Sequence, residues 1–245
     1  MKKYILFVTV LLAAISAKAQ SGYNYYEWGW GADVSYERGY TNITKQNSHV
    51  GANLNLVYNY NPYLPITAEL QFGQLSGGGL TTNLDPFGRK YTNNFKALIV
   101  HADVQLGAAI DYDGSWVLNA LKNFYAGTGF GIVINSNKVQ RTNVIAANGP
   151  LSYVFPGRDN SISPAIPLRF GYEFKIYDDY NQPSFAIDLG YVHSFVYGEG
   201  LDGYNDPGSK FKNDSSDQYR QITIGFKYYF GNTVSYIKQI RTFGY

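Results

Sequence analysis

Cysteine is absent from this 245-residue chain. Disulfides, thiolate zinc sites and thiol redox chemistry are therefore excluded. Histidine occurs only three times, and no metal-ligand cluster or phosphate-cradling glycine loop is present. Beyond the first residues there is no apolar run near the ~20 residues that a membrane-crossing helix needs. An excess of one charge is also missing. Twenty basic residues stand against 18 acidic ones. That balance gives no support to a nucleic-acid partner.

What the chain does have begins with an export pattern. Lys2 and Lys3 are followed by an apolar stretch from Tyr4 to Ile15 and then by Ala17-Lys18-Ala19. This predicts a signal peptide over 1–19, with the mature chain starting at Gln20. No Cys follows the apolar stretch, so lipoprotein processing is excluded. Loss of Lys2, Lys3 and Lys18 leaves 17 basic against 18 acidic residues, a formal charge of −1.

The second feature is a period of two that recurs along the chain. It is clearest in QITIGFKYYF, 221–230, where Ile222, Ile224, Phe226, Tyr228 and Phe230 alternate with Gln221, Thr223, Gly225, Lys227 and Tyr229. Such alternation means a strand with one apolar and one polar face. The same pattern predicts strands over 28–40, 49–60, 65–75, 95–111, 124–134, 162–176 and 184–197. Eight amphipathic strands after an export signal predict an all-β fold. We expect an eight-stranded antiparallel transmembrane β-barrel of outer-membrane type, apolar outside and polar inside. The barrel is expected over 20–230, with a periplasmic tail over 231–245. Trp116, Ala120 and Phe124, with Val117 and Leu121, have helical spacing in SWVLNALKNF and predict one short periplasmic helix. With the N-terminus periplasmic, Trp28, Trp30, Tyr58, Tyr60, Phe174, Tyr228 and Phe230 form an inner aromatic girdle. Tyr36, Tyr40, Phe195 and Tyr197 form the outer one.

The alternation also sorts the charged residues. Asp33, Glu37, Glu69, His101, Asp103, Arg169, Glu173, Lys175, Asp188 and Lys227 are expected in the lumen. An eight-stranded barrel is just wide enough to be filled by its own side chains. A plugged, salt-bridged interior is therefore favoured over an ion path. Asp103, Arg169, Glu173, Asp188 and Lys227 are its best candidates, and Gly127, Gly129 and Gly131 leave room for large partners. Arg38, Lys96 and Arg220 are expected outward at the outer strand ends, where basic groups meet lipid headgroups and lipopolysaccharide phosphates.

Several motifs lead nowhere. His193-Ser194 invites comparison with a hydrolytic dyad, but adjacent strand residues face opposite sides. Asp111-Tyr112-Asp113-Gly114 lacks the later ligands of a calcium loop. Asn42-Ile43-Thr44 is a sequon without an expected use in a bacterial envelope. No catalytic, cofactor or metal residues are assigned.

Thr223-x-Gly225-x-x-Tyr228-x-Phe230 resembles the β-signal read by the barrel assembly machinery, which that resemblance implies as a partner. The mature chain as a whole resembles the small OmpA-like outer-membrane barrels of Gram-negative bacteria. WGWGADVSYERGYTNI, NLVYNYNPYLPITAELQFGQLSGG and NFYAGTGFGIVINSNKV, in that order, are similar to a Bacteroidota barrel family that includes the type IX secretion component PorG. That family carries a Gly-Asp after the first strand's Tyr, where this chain reads Tyr36-Glu37-Arg38-Gly39-Tyr40. Its acidic loop after strand seven is loosely echoed by Gly200-Leu201-Asp202-Gly203. The resemblance implies a non-enzymatic anchor or interaction component of the envelope, with a periplasmic or envelope protein as partner. A narrow porin-like channel is the alternative, and a lipid-modifying membrane enzyme is less expected.

Overall fold

A computed structural model describes residues 23–112, 114–145, 151, 153–207 and 216–236. The expected signal peptide lies outside the described residues.

Eight antiparallel strands follow one another around a closed barrel. They are β1 (Tyr23–Tyr40), β2 (Gln46–Asn61), β3 (Leu64–Gly78), β4 (Lys90–Gln105), β5 (Phe124–Val139), β6 (Asn160–Tyr177), β7 (Pro183–Val196) and β8 (Gln218–Tyr236). Closure is made by β1 against β8, in register from Trp28↔Phe230 to Tyr40↔Gln218. No edge is left to present unpaired amides to lipid.

Every strand exceeds the ~9–11 residues that cross a bilayer. The ends differ from the expected limits for that reason, because hydrogen-bonded pairing continues where apolar alternation has stopped. β8 runs on through Gly231 to Tyr236 and pairs with Tyr23–Tyr26, across a bulge between Tyr26 and Trp28. Residues 231–236 are thus strand rather than tail, and 237–245 lie outside the described residues. In the other direction, β4 stops at Gln105, short of the expected end at Asp111. Leu106–Ala108 form a 3-10 turn there. Gly107 packs so closely on the Tyr63 ring that an added Cβ would lie 2.3 Å from it.

The outward face of the strands is a belt of exposed apolar side chains, among them Val34, Leu54, Leu70, Leu98, Ile132, Phe170, Ile187 and Ile224. A water-soluble monomer rarely shows a contiguous patch beyond a few hundred Å². In hydrocarbon the same belt is solvated. Aromatic rings gather at its termini-side end: Trp28 on Tyr58 at 5.1 Å, Trp30 on Phe226 at 5.3 Å, and Phe185 on Tyr228 at 4.9 Å. Helix α1 (Trp116–Leu121) lies at this end in the β4–β5 connection. Ser115 caps it by accepting from the Leu118 amide, and the Tyr172 hydroxyl donates to Ala120 O at 2.7 Å.

Candidate functional site

The ten charged or titratable residues assigned to the lumen all lie on the inner face. They form two tiers of ion pairs and one set of carboxylates without cations.

The middle tier is centred on Arg169 of β6. Its Nη1 donates to Glu69 Oε2 of β3 at 2.9 Å, and its Nε lies 3.3 Å from Asp103 Oδ1 of β4. His101 sits between the same two acids, with Nε2 3.3 Å from Glu69 and Nδ1 3.1 Å from Asp103. Gln71 donates to Glu69 Oε1, and Tyr219 donates to Gln71 Oε1. The intervening strand β5 makes this contact possible. A Cβ on Gly127 would sit 2.0 Å from Asp103 Oδ1, and one on Gly129 would sit 2.7 Å from the His101 Cβ. The glycines are the floor on which the β4 side chains lie.

The lower tier is centred on Glu173. Lys227 Nζ donates to its Oε1 at 2.6 Å and lies 3.6 Å from Asp188. Gln105 donates to Glu173 Oε2 at 2.6 Å, and Tyr229 donates to Oε1 at 3.1 Å. Lys175 donates to Gln105 Oε1 and to the Pro62 carbonyl, each at 2.7 Å. Beside it, at the termini-side mouth, is a cavity of only ≈ 10 Å³, lined by Tyr25, Asn59, Pro62, Lys175 and others. That is room for about one water.

Asp33 and Glu37 are brought into neither tier. Asp33 accepts from Asn55 Nδ2 at 2.5 Å. Glu37 Oε1 accepts from Ser35 and Gln221, each at 2.8 Å, in a recess over Gly51 and Gly73. No cation lies within ion-pair distance of either carboxylate among the described residues.

The outer mouth is closed by parts that no periodicity marks. Leu201, Asp202, Gly203 and Tyr204 of the β7–β8 loop are buried. Asn93 of β4 donates to Leu201 O and Asn137 of β5 donates to Gly200 O. Asp217 Oδ2 accepts from the Leu201 amide at 2.8 Å. Tyr204 donates to the carbonyls of Lys90 and Gln140. Buried Arg89 clasps three loops, pairing with Asp85 at 3.1 Å and Asp206 at 2.7 Å while donating to Asn42 O. Burial works against its charge, but Asp85 and Asp206 more than offset this, and its pKa is raised. Burial pushes the Asp202 carboxyl up to about 6 and the Asp217 carboxyl well above its ordinary value. Arg89, Tyr204 and Asp217 carry no signal of strand or motif. Only the Gly200–Gly203 segment stood out in the sequence.

Arg38 and Arg220 face outward, directly opposite each other across the β1–β8 seam. Lys96 is not brought to them, because it lies on β4 opposite Phe72 and Ile134. In the final strand Thr223 and Gly225 line the lumen, where Gly225 accommodates Asp33, while Tyr228 and Phe230 face out as stacked rings 6.2 Å apart. His193 points outward and Ser194 is buried inside, so the pair cannot act together.

No family model matches the chain, and no curated protein matches it. Solved structures similar to it include Neisserial surface protein A, at 10% identity, covering 86% of this chain and 100% of that one, TM-score 0.45. Ail of Yersinia pestis, in complex with the heparin analogue sucrose octasulfate, is 11% identical over 86% and 100% of the two chains, TM-score 0.44. OprG of Pseudomonas aeruginosa is 12% identical over 85% and 99%, TM-score 0.36. These values carry no argument about function.

Proposed function

We propose that the protein is a non-enzymatic outer-membrane barrel that works as an anchoring or interaction component of the cell envelope and does not conduct. The observation that carries this reading is the filled lumen. Two ion-pair tiers span it and the β7–β8 loop folds over its outer mouth, so among the described residues side chains fill the space an ion would need. What the molecule offers its surroundings is therefore its outer surface: the cap, the apolar belt and the termini-side face with α1.

The test is reconstitution in planar bilayers. The sealed barrel gives no discrete conductance steps. Stable large steps that vanish on blocking the lumen would instead make it a channel.

Three finer elements belong to the same proposal. Thr223, Gly225, Tyr228 and Phe230 serve as the assembly signal for the barrel assembly machinery, supported by their placement on the strand that closes the barrel. Arg38 and Arg220 meet lipid headgroups, supported by their outward positions near the outer strand ends, whereas Lys96, expected with them, faces outward six residues inside β4 and is left out of that set. A periplasmic or envelope protein, with a link to type IX secretion in a Bacteroidota cell, is supported by the sequence resemblance alone. Crosslinking in the native envelope tests the last. Recovery of a partner on the loops, α1 or the C-terminal strand supports it, and recovery of none counts against it.

A further inference from the structure

Reading the barrel as membrane-embedded, we propose that Arg220 and Arg38, backed by Tyr40 and His193, form a binding site for one phosphorylated lipid headgroup of the outer leaflet. The three basic residues stand side by side on adjacent strands. His193 of β7 is opposite Arg220 of β8, and Arg220 is opposite Arg38 of β1. Immediately below, Tyr191, Ile222 and Tyr36 continue the exposed apolar belt. Above them the β7–β8 and β1–β2 loops begin. The row thus sits where hydrocarbon gives way to headgroups.

Its geometry is built rather than incidental. The Cζ atoms of Arg38 and Arg220 lie 5.7 and 5.5 Å from the centroid of the same Tyr40 ring. That ring lies 6.0 Å from the His193 ring, and His193 Nε2 is 2.8 Å from Gln218 Oε1. One aromatic plane therefore orders both guanidinium groups. Among the described residues neither has a carboxylate partner, and Arg38 Nε is buried without a hydrogen-bond partner. Two like charges directly opposite on adjacent strands repel. A phosphate between them would cancel the repulsion and accept from the Nη donors of both planar forks. Its acyl chains would lie along Tyr36 and Ile222 of the belt. Lys96 stands on another part of the wall and takes no part.

The experiment uses the folded full chain in phosphatidylcholine nanodiscs. Native mass spectrometry measures retention of diphosphoryl lipid A offered with excess phosphatidylcholine. The wild type and K96Q retain one molecule per barrel, and R38Q/R220Q weakens retention by at least about tenfold. R38K/R220K retains more than the glutamine variant. Excess inorganic phosphate does not displace the lipid. Equal retention by wild type and R38Q/R220Q would overturn the site, as would an equal loss in K96Q. Displacement by inorganic phosphate would overturn the lipid assignment in favour of a soluble anion. Heat-dependent gel mobility and insertion into the nanodisc are read separately for every variant. Failure of the wild type to insert sinks the membrane reading itself. An inserted barrel without selective retention sinks only this site.

Discussion

Arg169 of β6 reaches Glu69 of β3, 100 residues earlier, at 2.9 Å across the lumen. Both side chains are nearly fully buried, and Asp103 and His101 complete the group. Breaking such a pair on one side leaves charge without compensation. Arg169→Met is expected to cost about 3–5 kcal/mol of barrel stability, measured as the urea midpoint of unfolding in detergent. Arg169→Lys should lose less, because the charge is kept while the fork that reaches Glu69 and Asp103 together is lost. An unchanged midpoint for Arg169→Met would show that the tier is not structural.

The carboxylates without cations should behave in the opposite way. Glu37 keeps its shape and its Ser35 and Gln221 donors on conversion to Gln, and no cation is orphaned. Glu37→Gln is expected to change stability by no more than about 1 kcal/mol. Glu173→Gln removes the acceptor charge of Lys227 and should cost about 3–5 kcal/mol. The two midpoints measured side by side check the contrast, and equal losses would contradict it.

The β5 glycines should resist even the smallest side chain. A Cβ at Gly127 meets Asp103 Oδ1 at 2.0 Å and the Ala102 carbonyl at 2.6 Å. Gly127→Ala is expected to cost about 1–3 kcal/mol through overpacking. Gly114, with nothing within 4 Å but a φ of +82°, tests something different. Gly114→Ala pays only for its left-handed backbone, about 1 kcal/mol, and should leave the lumen untouched. Refolding yield and denaturant midpoint of the two variants separate these effects.

The loop cap should loosen as pH rises. Burial raises the Asp202 carboxyl to about 6, opposed by the Tyr204 amide, Thr41 and Arg89 and aided by Glu199. Asp217 is raised by burial and then by Asp202. The unfolded values are near 4, so the folded cap binds protons more tightly. Its added stability is complete below about pH 4 and is lost as pH passes through about 6. Hydrogen exchange of residues 197–207 should therefore be slower at pH 5 than at pH 8, after correction for intrinsic rates. Asp202→Asn should flatten that difference. Faster corrected exchange at pH 5 would reverse the sign and refute it.

Much of this was legible along the chain because a strand's side-chain period is local. Alternation placed Asp103, Arg169, Glu173 and Lys227 inside and Trp28, Ile222 and Phe226 outside without knowledge of any partner. It also marked the β5 glycines as space. Strand ends were less legible, since Tyr25 and Val234 pair through backbone bonds that no apolar pattern announces. The cap was hidden for a further reason. Arg89 finds Asp206 117 residues away, and Tyr204 finds Lys90 114 residues away, through loops with no period at all.

The sequence by itself determined that the chain forms amphipathic strands, which residues share each face, and therefore that the surface is apolar and the interior charged. Those properties depend on neighbours two residues apart. The tertiary structure alone decided that Asp33 and Glu37 stay without cations while Glu69 and Glu173 acquire them. It also decided that Arg38 lies opposite Arg220 and not Lys96, and that the β7–β8 loop folds over the mouth, held to two other loops by Arg89. Such outcomes depend on the register of closure, which sets distances between residues that the chain keeps far apart.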